Sequence, residues 1–168
     1  MTTFSVEPSR ILIVDDAPAN IEVLLGMLED DYDLSFATSG RQALARLAKG
    51  YRPDLILLDV MMPEMDGYEV CATLKQDART QNIPVIFVTA RTDADSETRA
   101  LTIGAVDFIH KPLNRAVVRA RVKLHLELAQ HRHHLEELVH ARTRELAEAR
   151  DDAESANRAK SAFLANMS

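Results

Sequence analysis

The sequence predicts an α/β domain, doubly wound around a five-stranded parallel sheet with five helices, the last extended into a long coiled-coil helix. Two observations carry this. Before Leu113 short apolar runs alternate with helix-period stretches, and after it the strand signals stop and neither proline nor glycine occurs. Continuously apolar runs fit parallel strands covered on both faces. Strands alternating with helices at this spacing fit βαβ units with right-handed crossovers.

Taken in order, residues 1–9 are expected to be disordered, and 10–113 to form the folded domain. The first strand is Ile11–Val14, and a helix from about Pro18 to Glu29 presents Ile21, Leu24, Leu25 and Leu28 on one face. Leu34–Ala37 is the second strand, and the helix after Ser39-Gly40 buries Ala43, Leu44 and Leu47. Leu55–Leu58 and Val85–Val88 are the third and fourth strands, each apolar throughout, with helices following Asp66-Gly67 and beginning near Asp93. Ala105–Ile109 supplies the fifth strand. Five strands and five helices in this alternation fit the flavodoxin-like kind of doubly wound sheet.

Residues 114–168 are rich in Ala, Leu, Glu and Arg, as a long helix is. Steps of four and three from Leu128 visit Arg132, Leu135, Val139, Arg142, Leu146, Ala149, Ala153, Ala156, Lys160, Phe163 and Met167. Nine of these twelve are apolar, which predicts a two-stranded coiled coil and a homodimer through 114–168. The alanine-rich stretch from Glu145 to Lys160 is where such a seam buries least.

Composition narrows the function. The chain has 168 residues, 46% of them apolar and 27% charged, ordinary for a soluble globular protein. No long apolar run and no basic-then-apolar leader is seen, so a cytoplasmic location and no membrane contact are expected. Cys71 stands alone in a helical pattern and reads as a buried structural thiol. The net charge of −6 divides into −8 for residues 1–113 and +2 for 114–168. An acidic folded part argues against nucleic acid and for a cation.

In open parallel sheets, ligands bind beyond the carboxyl ends of the strands. Here the first strand ends in Asp15-Asp16, the third in Asp59, the fourth in Thr89-Ala90, and the fifth is followed by Lys111-Pro112. Taken singly these have ordinary explanations: Asp15-Asp16 as helix-capping chemistry ahead of Pro18, Thr89 as a turn hydroxyl, Lys111 as a surface amine. Three carboxylates, a hydroxyl and an ammonium at one edge form a constellation that a hard divalent cation would neutralise, and Mg²⁺ fits.

Residues 11–113 resemble the receiver domains of response regulators. The likeness rests on Leu12-Ile13-Val14-Asp15-Asp16, on Leu57 to Gly67, on Pro84 to Ala90 and on Phe108 to Leu113. It implies that Asp59 is the nucleophile that takes a phosphoryl group from a phosphohistidine donor protein or a small phosphodonor. Asp15, Asp16, Asp59 and the backbone carbonyl of Met61 would hold Mg²⁺, and Lys111 and Thr89 would contact the phosphoryl oxygens. Phe108 falls at the family's aromatic switch position, where it lacks the hydroxyl of a tyrosine. Lys111-Pro112 resembles the family's cis peptide.

The last residues, Ala156 to Ser168, resemble the segment just ahead of the phosphoacceptor histidine in histidine kinase dimerisation helices. This implies a larger kinase cut short before that histidine, with the helix carrying the signal to its core. A receiver joined to another enzymatic output is the alternative. A haloacid dehalogenase-type phosphatase is more remote, since that family needs a second aspartate where Met61 stands. His125, His131, His133, His134 and His140 lack the i, i+4 spacing of a helical zinc site and read as a solvated face.

Overall fold

A computed structural model describes residues 6–167 of the chain. Residues 1–5 of the segment expected to be disordered lie outside the described residues. The elements run β1 (Arg10–Val14), α1 (Pro18–Leu28), β2 (Asp33–Ala37), α2 (Gly40–Ala48), β3 (Leu55–Asp59), α3 (Gly67–Gln76), β4 (Val85–Thr89), α4 (Ala94–Ile103), β5 (Asp107–His110) and α5 (Arg115–Asn166). All pairings are parallel, in the order β2-β1-β3-β4-β5, which is the doubly wound sheet the alternation predicts.

Strand alternation sorts the core into two layers. Leu12, Val14, Ile56, Leu58, Val85 and Phe87 point to one face, packed with residues of α2, α3 and α4. Ile11, Ile13, Leu55, Leu57, Ile86 and Val88 point to the other, with Ile21, Leu24 and Leu28 of α1 and Val118, Val122 and Leu126 of α5. Both faces of β1, β3 and β4 are therefore dry, and each fully buried Leu or Ile contributes about 1.5–3 kcal/mol of transfer free energy.

The helix starts follow their capping residues. Ser39, Asp66 and Asp93 each accept a hydrogen bond from the backbone N–H three residues on, at 3.1, 2.9 and 3.1 Å. The first helix differs: Ala17 is its N-cap and no side chain caps it. The fifth strand also differs, beginning at Asp107 and not at Ala105. Gly104 closes α4 in the left-handed region at φ 113°, and the Ala105 N–H returns to the Ala100 carbonyl at 3.2 Å, so Ala105 completes the helix end.

The chain divides into two compact units, Met1–Ala129 and Gln130–Ser168. Within the first, the opening turns of α5 are tied to the end of α1 by Arg119, which donates to the Met27 carbonyl at 3.1 Å and pairs with Asp31. The second unit is helical through Asn166, and Leu135, Val139, Leu146, Phe163 and Met167 are all exposed on it. No helix among the described residues is long and apolar enough to cross a membrane.

Candidate functional site

Strand order reverses between β1 and β3, and there the two strands deliver their terminal carboxylates side by side. Asp15, Asp16 and Asp59 each place an oxygen within 4.8 Å of the others. Asp15 and Asp59 are buried, and Asp16 faces solvent. The capping explanation accounts for only part of this. Asp15 Oδ1 accepts from the Ala17 N–H at 2.9 Å and from Asn20 Nδ2 at 3.3 Å, but Asp16 caps nothing.

Lys111 reaches this cluster from the far end of β5. Its ammonium lies 3.4 Å from Asp15 Oδ2 and 3.5 Å from Asp59 Oδ1. One ammonium thus contacts two members of a three-carboxylate cluster. Burial first, and then the charge of Asp15, push the Asp59 carboxyl up to about 6, against the pull of Lys111 and a backbone hydrogen bond from Met61. Hard oxygen donors, a charge surplus and one solvent-facing member suit a magnesium ion, which keeps some of its waters.

A glycine lets α3 begin against the end of β3 beside these groups. A Cβ on Gly67 would lie 2.3 Å from the Asp59 carbonyl oxygen and 2.9 Å from the Val60 Cα, so α3 starts this close to the strand end only because residue 67 has no side chain. The Gly67 N–H also donates to the Val60 carbonyl at 2.9 Å. The Lys111-Pro112 peptide is cis, and the Lys111 N–H donates to the Thr89 carbonyl at 2.8 Å.

Thr89 ends β4 with its side chain buried, its hydroxyl accepting from the Arg91 N–H at 3.0 Å. A small cavity lies between Thr89 and the half-buried Phe108, bordered also by Val60, Tyr68, Phe87 and Ser96. Tyr68 packs edge-on to Phe87 at 5.4 Å between centroids, and the Arg99 guanidinium lies 4.2 Å from the centre of the Tyr68 ring. The Cys71 thiol is buried among core residues, which pushes its pKa up. Of the five tail histidines, His125 is not solvated: its Nε2 lies 2.8 Å from Asp107 Oδ2, beside the Arg121 Nη1 that bonds Oδ1 at 2.6 Å.

Sequence reasoning missed this Asp107 cluster, and also the contacts of His110 with the Arg91 carbonyl and Glu97. Partners 13 to 19 residues apart on different elements follow no helical or strand period, so nothing in the spacing marks them.

A family model described as the response regulator receiver domain matches residues 11–123. The chain belongs to the response regulator receiver family. It is 41% identical over 127 residues to a Vibrio cholerae protein described as "Probable cyclic di-GMP phosphodiesterase", covering 76% of this chain and 29% of that protein. It is 45% identical over 116 residues to "Response regulator PleD" of Caulobacter vibrioides, covering 68% of this chain and 25% of that one. Among solved structures it is similar to the signal receiver domain of a signal transduction histidine kinase from Syntrophus aciditrophicus, with TM-score 0.65 and 42% identity over 71% of this chain and 90% of that one. The chain thus spans between a quarter and a third of the length of these two curated relatives. Receivers of this family bind Mg²⁺ at an acidic pocket and take phosphate from histidine kinases.

Proposed function

We propose that Asp59 is the phosphoryl acceptor of this receiver and that Lys111 and Thr89 position the transferred group. The observation that carries this is the buried Asp59 carboxylate, set against Asp15 and Asp16 with the Lys111 ammonium 3.5 Å away. An Asp59 oxygen attacks the phosphorus of a phosphohistidine, the P–N bond breaks as the P–O bond forms, and the donor imidazole leaves with its electron pair. The product is an aspartyl phosphate.

Such transfer is governed by positioning and charge stabilisation, and no side-chain acid or base is required. Asp15, Asp16, Asp59 and the Met61 carbonyl would hold Mg²⁺, which when bound neutralises charge on the transferred oxygens. Lys111 supplies the second cation, and the Thr89 hydroxyl donates to a phosphoryl oxygen once it turns inward. Phe108 then follows into the cavity beside Thr89, and with no hydroxyl it does so by packing alone. The output is a shift of population between two arrangements of the α4, β5 and α5 surface.

Beryllofluoride with Mg²⁺ mimics the phosphorylated carboxylate and tests the assignment. Wild type should bind it and Asp59→Asn should not; equal binding by the two defeats it.

The signal passes along residues 114–168 as a homodimeric coiled coil to a histidine kinase core. The exposed Leu135, Val139, Leu146, Phe163 and Met167 support a paired helix, and the resemblance of Ala156 to Ser168 to kinase dimerisation helices supports the destination. A second reading, an output that hydrolyses cyclic di-GMP, is favoured by the Vibrio cholerae relative. Assays of the full-length parent for autophosphorylation on histidine and for cyclic di-GMP hydrolysis separate the two. The acidic folded part leaves nucleic acid outside this reading. A lone buried thiol suits a reducing, cytoplasmic setting.

A further inference from the structure

His110 stands at the end of β5, directly before Lys111, and both its ring nitrogens face acceptors. Nδ1 lies 3.0 Å from the Arg91 carbonyl oxygen in the β4–α4 loop, and Nε2 lies 3.0 Å from Glu97 Oε1 on α4. A neutral imidazole carries one N–H and can donate to only one of them; an imidazolium donates to both. Arg91 is also the residue whose backbone N–H bonds the Thr89 hydroxyl at 3.0 Å. One ring therefore grips the carbonyl of the same residue whose N–H engages Thr89, and ties it to α4.

The helix held this way is also anchored by Ile103, which packs half-buried against the core. Ser96 and Ala100 are its only buried residues, Leu101 is exposed, and Arg99 rests on Tyr68. The other charged groups nearby on β5 are turned elsewhere: Asp107 to Arg121 and His125 of α5, Lys111 to Asp15 and Asp59. Phe108 packs against the His110 ring, 5.2 Å between centroids. On the facing loop and helix, Asp93 accepts from Ser96, Arg99 lies over Tyr68 and Arg91 borders the cavity beside Thr89, so Glu97 is the charged side chain bonded to the imidazole.

We infer that His110 is a positioning residue that, when protonated, clasps the β4–α4 loop to α4 and holds Thr89 away from the phosphoryl site. This rests on the receiver reading and deepens it. Protonation strengthens the clasp and disfavours the phosphorylated arrangement; deprotonation releases one of its two bonds and eases Thr89 inward. Histidine is the side chain suited to make that change between pH 5 and 8.

The test measures beryllofluoride and Mg²⁺ affinity at pH 6 and pH 8 for wild type, His110→Gln and Glu97→Gln, and follows the Arg91 to Glu97 amide resonances against pH without beryllofluoride. His110 and Glu97 are each about a third exposed, at 35% and 33%, so neither variant empties the core. Ionisation of Asp59 acts equally in all three proteins and cancels in the comparison. Because a partly exposed ion pair is weak, the variants should bind about threefold to fivefold tighter than wild type at pH 6 and equally at pH 8. The wild-type loop resonances should move in step with the His110 ring, and those of His110→Gln should not. The same ratio of affinities at the two pH values in all three proteins, or weaker binding by the variants at pH 6, overturns the clasp alone. A wild type that binds no beryllofluoride at either pH overturns the receiver reading and the coupling with it.

Discussion

Replacing Asp59 by Asn should stabilise the metal-free protein, because the native carboxylate is held where its charge is costly. Its pKa lies at about 6 against an ordinary 3.8, a rise of about two units, which corresponds to about 3 kcal/mol at about 1.4 kcal/mol per unit. That rise is already net of the pull of Lys111, so no further term is subtracted for the lost contact. The gain of about 3 kcal/mol corresponds to about 6–12 °C in melting temperature for a chain of this size. The sign fixes the pH window. A folded-state pKa that is raised means the ionised form is disfavoured by folding, so wild type keeps this stability below pH 3.8 and loses it as pH rises through about 6. Thermal melts in a chelator should therefore coincide near pH 4 in this contribution and separate fully above pH 7. Added Mg²⁺ should then close the gap by neutralising the wild-type cluster. An Asn variant no more stable than wild type at pH 7.5 in chelator, or a gap that Mg²⁺ leaves unchanged, refutes the reasoning.

Gly67→Ala should destabilise the domain by about 1–3 kcal/mol and weaken beryllofluoride binding, since its Cβ would press on the Asp59 carbonyl at 2.3 Å and backbone cannot step aside as a side chain can. Denaturant melts and binding titrations check both, and a variant with unchanged binding would show that the α3 start does not locate Asp59. The chain should be dimeric by light scattering at several concentrations, and removal of residues after Gln130 should leave a monomer. A strict monomer at high concentration rules out the coiled coil.

The fold was legible because its physics is local and periodic. The apolar runs of β1, β3 and β4 have no polar face to confuse with a surface strand, and Ser39, Asp66 and Asp93 mark helix starts by residue type alone. The edge of β5 was misplaced because Ala105 and Val106 continue an apolar run, while the Gly104 turn that ends α4 returns Ala105 to the helix. The grouping of Asp15, Asp16, Asp59 and Lys111 was legible for a different reason: a parallel sheet puts all its strand ends on one edge. The same logic has no purchase on pairings between elements. That His110 meets Glu97 and that His125 meets Asp107 depends on side-chain directions across packed surfaces, and the tail histidines looked uniformly solvated until α5 was seen packed against the sheet.

The central claim is that Asp59 takes the phosphoryl group, and covalent labelling tests it most directly. Incubated with acetyl phosphate and Mg²⁺ and digested at acid pH, wild type should yield the peptide containing Asp59 heavier by one phosphoryl group. That label should vanish with chelator and in Asp59→Asn. A phosphoryl group found on another residue, or equal labelling of wild type and Asp59→Asn, would contradict it.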